Sequence, residues 1–316
     1  MNTELTYNNH FVWGYNQIPW SKRVRLYDRF FATYGKAEYT RPWTLRDACI
    51  DAARKICKQA KSVGKKPMVF YSGGLDSEVV IAAFLQSGED FTVAHLKYTP
   101  ELNYHDSEWV YRFCRLNNLD LKEYEIDPIE YFLRPEVFDQ AVKDNIKHFE
   151  MVLVNHLMDL TKDEYFPVLG NGEPYLFKIN NDNNSPWLFR ELEYMMPWYF
   201  HAFNNDIHSC PGFFQYTPEV MLSFLLDPTM VKLANNMLPG KITSRTSKFG
   251  IYTNAFPEYE FQPRRKYTGY EYIPRNTLNT LNQKICSYTF YDKHSYEEIE
   301  YNKLVKLMRY GNPSAR

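Results

Sequence analysis

Ser72, Gly73, Gly74, Leu75, Asp76 and Ser77 form a stretch of residue types suited to holding an anion. Adjacent glycines let backbone N–H groups approach a phosphate with no Cβ in the way. Ser72 and Ser77 add hydroxyl donors, and Asp76 offers the hard oxygen that a divalent cation bridging phosphate oxygens requires. A charge-assisted hydrogen bond contributes about 1.5–3 kcal/mol, so several together hold a pyrophosphate group firmly. No Gly-Lys-Ser/Thr follows the glycines, which excludes the Walker loop.

Such a loop works only if neighbouring elements present it. Residues 68–71 are a short apolar run suited to a buried parallel strand. The apolar run 79–85 predicts a helix, with Asp76 or Ser77 as N-cap and Glu78 in its first turn. A helix N-terminus adds unpaired donors and a positive partial charge. Upstream, Thr44 is placed to cap a helix over 45–56, whose Leu45, Ala48, Cys49, Ala52 and Ile56 make one apolar stripe. Downstream, 91–98, 121–126 and 165–169 read as strands, separated by helices over 106–117 and about 135–160.

Strands alternating with helices predict an α/β fold, a parallel sheet with helices on both faces. A mainly helical C-terminal region follows, with helices near 188–203, 218–226, 228–237, 277–286 and 296–310. The basic, Tyr-rich stretch 244–272 receives no element. The expected organisation is an irregular aromatic arm over 1–43, with one short helix around 27–34, then a nucleotide-binding domain over 44–178 and a substrate region over 179–316.

In open parallel sheets, ligands sit at the carboxyl ends of the strands. That rule adds Leu96, Lys97 and Tyr98 at the end of the second strand, and Gly170, Asn171, Gly172 and Glu173 after the fourth. Cationic candidates for a pyrophosphate are Lys241, Lys248, Arg264, Arg265 and Lys266. His95, His105, His156 and His201 lack metal-ligand spacing and read as core or surface. The aromatics between Phe249 and Tyr272 read as a core edge, with base stacking as the alternative. The basic run over 21–25 reads as a solvated face, with a nucleic-acid or partner contact as the alternative.

With 37 Lys+Arg against 38 Asp+Glu, the net charge is -1, which argues against a protein built mainly to coat nucleic acid. Cys49, Cys57, Cys114, Cys210 and Cys286 form no C-x-x-C pair, so a zinc knuckle has no support and a reducing, cytoplasmic setting is expected. No segment approaches the ~20 apolar residues of a membrane span.

The hexapeptide Ser72–Ser77 resembles the Ser-Gly-Gly-x-Asp-Ser signature of the PP-loop ATP pyrophosphatases, the adenine nucleotide alpha hydrolase-like family. The order of elements over roughly 44–270 is similar to the synthetase domain of asparagine synthetase. This includes the turn Val168-Leu-Gly-Asn-Gly-Glu173, the stretch 218–227 and the basic stretch after it. The resemblance implies a HUP-like nucleotide domain that binds ATP with Mg2+, the pyrophosphate lying in Ser72–Ser77 and the metal on Asp76. By the same resemblance Leu96 and Gly170 border the nucleotide, Lys248 reaches the β- and γ-phosphates, and Glu173 is the acid of the second motif.

The implied reaction is adenylation of a carboxylate or carbonyl of a small-molecule substrate, release of pyrophosphate, then attack by ammonia or an amine. Two departures bear on the product. Asn171 stands where that family's Gly-Glu-Gly-Ala-Asp-Glu motif has its first Glu. Residue 2 is Asn, not the cysteine that follows the initiator methionine in that family's glutaminase domain, so no glutaminase is expected and nitrogen would come as free ammonia, as an amine or from a separate donor. The stand-alone form and Asn- and Tyr-rich composition resemble virus-encoded enzymes, which would place the chain in a host cytoplasm. The alternatives are modification of a nucleotide or nucleic-acid base, by thiolation or deazaguanine-type chemistry, and a nucleotide-binding module without turnover.

Overall fold

The computed structural model describes residues 12–15, 30–33, 35–38, 43–144, 146, 148–178, 185–189, 196–237, 244–264, 269–286 and 298–311. Its centre is strand β3 (Lys66–Phe70), numbered after an N-terminal antiparallel pair, β1 (Val12–Tyr15) and β2 (Phe30–Thr33). That pair replaces the short helix expected around 27–34. Phe-Phe-Ala-Thr is rich in strand formers, and its backbone groups find partners across the ladder.

Helix α1 (Leu45–Ser62) begins at Thr44, whose hydroxyl accepts from the Asp47 amide while the Asp47 carboxylate accepts from the Thr44 amide. This reciprocal box satisfies donors that the helix start leaves unpaired. The α1 stripe of Ala48, Cys49, Ala52, Ala53, Ile56, Cys57 and Ala60 is fully buried. Its small side chains let α1 lie close against helix α2 (Leu75–Ser87) and β3. In α2, Val79 to Phe84 are all buried, as expected of a helix covered on every side.

Strand β4 (Thr92–Tyr98), helix α3 (Tyr104–Leu116) and strand β5 (Leu121–Ile126) follow. Three helices come next, α4 (Pro128–Phe132), α5 (Pro135–Lys143) and α6 (Val152–Thr161), then strand β6 (Tyr165–Leu169). The sheet order is β5-β4-β3-β6, and all its pairs are parallel. From β3 the chain steps outward through α2 and α3. It then crosses back to place β6 on the other side of β3. This is the α/β class with a parallel sheet expected from the sequence. The order reverses between β3 and β6, so the crevice at their carboxyl ends is the topological switch point where such sheets bind ligands.

The single helix expected over 135–160 is broken between α5 and α6. Asp144 ends α5 and is fully buried, accepting from Gln140, Asn155 and His201. Bringing those donors to one carboxylate requires the chain to turn there.

Beyond β6 lie strands β7 (Leu176–Phe177) and β8 (Leu188–Phe189), and helices α7 (Met196–Asn204), α8 (Pro218–Leu225) and α9 (Pro228–Ala234). Helices α10 (Ser244–Ala255) and α11 (Arg275–Cys286), strand β9 (Ile299–Glu300) and helix α12 (Tyr301–Tyr310) complete the chain. β7, β8 and β9 form a small antiparallel sheet. The helix expected from residue 188 therefore starts at 196, after β8, and the one expected from 296 starts at 301, after β9. Helix α10 occupies the stretch given no element. Among its described side chains the buried ones are Ser247, Ile251 and Tyr252, too polar a set to register as an apolar stripe.

Candidate functional site

Gly74 is the N-cap of α2, two residues earlier than the expected Asp76 and three earlier than Ser77. Asp76 and Glu78 thus both lie in the first turn. The first amide to join the helical ladder is that of Glu78, which donates to the Gly74 carbonyl at 3.2 Å. The amides of Leu75, Asp76 and Ser77 precede it, at the positive end of the helix. Inside the loop, the Ser77 hydroxyl donates to the Gly74 carbonyl at 2.9 Å, and the Ser72 and Ser77 hydroxyl oxygens lie 3.4 Å apart.

Glycine is required here by contact as well as by conformation. Gly73 has φ +79°, and a Cβ there would stand 2.6 Å from the Asp106 carbonyl oxygen at the start of α3. Gly170, immediately after β6, lies against the loop from the other side. A Cβ on it would come 2.7 Å from Ser77 Cα and 2.9 Å from Ser77 N. The two turns after β3 and β6 are therefore in direct backbone contact at the switch point. The second turn is fixed from behind by the Phe214 amide, which donates to the Asn171 carbonyl at 3.0 Å.

Lys248 projects from α10 into this crevice. Its ammonium donates to Asp76 Oδ1 at 2.9 Å, to Asp76 Oδ2 at 2.6 Å and to Glu173 Oε1 at 2.8 Å. Asp76, Glu173 and Lys248, distant in sequence, thus form one cluster. Burial disfavours the ammonium charge, but the Glu173 and Asp76 carboxylates outweigh it and hold the Lys248 pKa above its ordinary value. Burial and the neighbouring Asp76 push the Glu173 carboxyl up, against the pull of Lys248.

Tyr252, one turn further along α10, donates its hydroxyl to Asp76 Oδ1 at 2.6 Å. Burial, then the Asp76 and Glu173 charges, raise the Tyr252 pKa well above that of a free phenol, so it remains a donor. Sequence reasoning missed Tyr252. The available signal was its i+4 spacing from Lys248, which puts both side chains on one helix face.

A second charged cluster lies at the root of the loop. Glu78 is buried and pairs with Arg264, accepts the Tyr71 hydroxyl, and sits where the Arg264 guanidinium lies 4.5 Å from the Trp109 ring centre. Burial raises the Glu78 pKa although Arg264 and Tyr71 both favour its charged form. Arg264, a candidate pyrophosphate cation by sequence, is thus engaged with Glu78 rather than with the Asp76–Glu173 pair. A guanidinium this buried requires a carboxylate beside it. Lys241, Arg265 and Lys266 lie outside the described residues, as does the basic run over 21–25.

Extending the β3–β4 register places Leu96 level with Ser72. Its carbonyl accepts from the Asn103 side-chain amide at 2.8 Å, closing the end of β4 onto the start of α3. His95 is buried. It donates Nδ1–H to the Tyr71 carbonyl at 2.9 Å, and its Nε2 accepts from Ser107 at 2.8 Å. Burial lowers its pKa, so it stays neutral and braces the last residue before the loop. His201 is buried between Asp144 and Asp159. Cys49, Cys57, Cys114 and Cys210 are buried free thiols.

The donor set matches a magnesium pyrophosphate. Amides at the α2 start and the loop hydroxyls can take phosphate oxygens. The Asp76 and Glu173 carboxylates, both partly exposed, can take a hard cation in place of the ammonium they now share. Among the described residues there is no cluster of three or more His, Cys, Asp or Glu placed to hold a metal. Among them, too, no helix is long and apolar enough to cross a membrane.

No protein-family model matches the sequence, and no curated protein does. Among solved structures, the chain is similar to an NMN synthetase from Francisella tularensis, with 12% identity and a TM-score of 0.35 over 79% of this chain and 98% of the other. It is also similar to an NH3-dependent NAD synthetase from Campylobacter jejuni, with 12% identity and a TM-score of 0.36 over 78% of this chain and 95% of the other. Neither of the two is an asparagine synthetase.

Proposed function

We propose that the chain is an ATP-dependent ligase of the PP-loop type, which adenylates a carboxylate or carbonyl oxygen of a small molecule and then transfers ammonia or an amine to it. The observation that carries this reading is the meeting of Asp76, Glu173 and Lys248 at the switch point, beside the free amides of the α2 N-terminus. The loop amides and hydroxyls bind the β- and γ-phosphates. Lys248 neutralises charge on the departing pyrophosphate, and Asp76 with Glu173 would hold Mg2+. The metal, when bound, supplies Lewis-acid stabilisation of that leaving group.

The substrate oxygen attacks the α-phosphorus, and the bond to the β-phosphate oxygen breaks. Ammonia or an amine then attacks the activated carbon and AMP leaves. With nitrogen arriving as free ammonia or from a separate donor, the chain needs no glutaminase site of its own.

The test is the fate of labelled ATP with candidate carboxylate acceptors and ammonium. AMP and pyrophosphate are the expected products, and Asp76→Ala should lower their formation by about 10²-fold or more. Cleavage to ADP, or wild-type turnover in that variant, would refute the assignment.

A further inference from the structure

The Tyr252 ring is fully buried in a slot made by Phe214 and Phe224. It stacks on Phe214 at 5.7 Å with a 21° interplanar angle, and meets Phe224 edge-on at 6.0 Å and 72°. Phe214 is also the residue whose amide holds the Asn171 carbonyl. One aromatic slot therefore fixes both the tyrosine and the turn that carries Glu173.

From this slot the hydroxyl reaches only one oxygen of Asp76. Oδ1 accepts from Tyr252 at 2.6 Å and from Lys248 at 2.9 Å. Among the described residues, Lys248 alone donates to Oδ2, at 2.6 Å. The two donors differ in kind. Lys248 is a long, flexible cation that any metal entering between Asp76 and Glu173 must displace. The phenol is neutral and clamped by packing, so it has no reason to move.

We propose that Tyr252 is a positioning residue for metal binding: it keeps Oδ1 occupied and the carboxylate plane fixed, so that Oδ2 is the oxygen left without a permanent donor when Lys248 withdraws. Without the hydroxyl the carboxylate can rotate and offer both oxygens to the ammonium, which favours the metal-free pair. Hydrogen-bond partners that orient a ligating carboxylate are worth about 10–100-fold in metal affinity. The inference rests on the reading of Asp76 as a metal ligand.

The experiment titrates Mn2+ into the full chain with inorganic pyrophosphate present, followed by the electron paramagnetic resonance of free Mn2+. Tyr252→Phe keeps the ring in its slot, so it should weaken Mn2+ binding by about 10–100-fold while its urea midpoint falls by no more than the loss of one hydrogen bond accounts for. Met158→Ala, at a fully buried α6 residue that is not part of the slot, should do the reverse, lowering the midpoint and leaving Mn2+ affinity in place. Wild-type affinity in Tyr252→Phe overturns the proposal, as does a comparable loss of affinity in Met158→Ala. Asp76→Asn separates the two levels of argument. If it binds Mn2+ like wild type, the reading of the loop itself fails. If it loses Mn2+ while Tyr252→Phe does not, only the role of Tyr252 fails.

Discussion

Replacing Lys248 by Met removes the single cation between two carboxylates while keeping most of the aliphatic volume. The side chains of Lys248, Asp76 and Glu173 are 15%, 25% and 15% exposed, so water screens them only in part. Removing one partner of a fully buried pair costs about 3–5 kcal/mol, and exposed pairs are worth about 1 kcal/mol or less. For this intermediate burial we expect a loss of about 2–3 kcal/mol at pH 7.5.

Acid should relieve that loss. Glu173 already has a raised pKa, from burial and Asp76, and loses its opposing cation in the variant. A group whose folded pKa is raised contributes fully below its unfolded pKa, and that contribution is lost as pH rises through the folded value. The deficit of Lys248→Met should therefore be smaller at pH 5 than at pH 7.5. Urea unfolding at both values, with Lys55→Met at the 49%-exposed Lys55 as control, measures it. A loss within ~0.5 kcal/mol of that control at both pH values would refute the buried-charge argument.

Two further outcomes follow from the geometry. Gly170→Ala should push the loop out of place, because its Cβ would meet the Ser77 backbone at 2.7 Å; equilibrium dialysis should show ATP affinity falling, with a stability loss of about 1–3 kcal/mol in urea. His201 is penalised by burial, but Asp144 and Asp159 outweigh this and raise its pKa to about 9. Its contribution is complete below about pH 6.5 and is lost as pH rises through about 9, so wild-type stability should fall over that window and His201→Gln should flatten the slope, read from urea midpoints against pH.

Local elements were legible where one physical signal dominated. The continuous apolar runs around β3 and β6 and the Thr44 cap placed those strands and the start of α1 well, because buried parallel strands and capped helices leave marks within a few residues. The signal failed where tertiary contacts set the outcome. Asp144 looks like an ordinary helix residue until His201, 57 positions away, arrives to pair with it. Helix α10 was missed because its inner face uses Ser247, Lys248 and Tyr252 for contacts rather than an apolar stripe. Arg264 read as a free cation because its partner Glu78 lies far off in the chain.

By itself, the sequence determined the anion loop. Six residues between an apolar strand and an apolar helix dictate a glycine turn on a helix N-terminus, since backbone sterics and helix-end donors are local properties. What the loop faces was decided by tertiary structure alone. The return crossover that sets β6 beside β3 brings Gly170 onto Ser77 and Glu173 near Asp76. Helix α10, arriving from the C-terminal region, lays Lys248 and Tyr252 on the same carboxylate. The strand-end rule and the family resemblance pointed to Glu173 and Lys248, but their contacts are set by the packing of the elements that carry them, as are those of Tyr252.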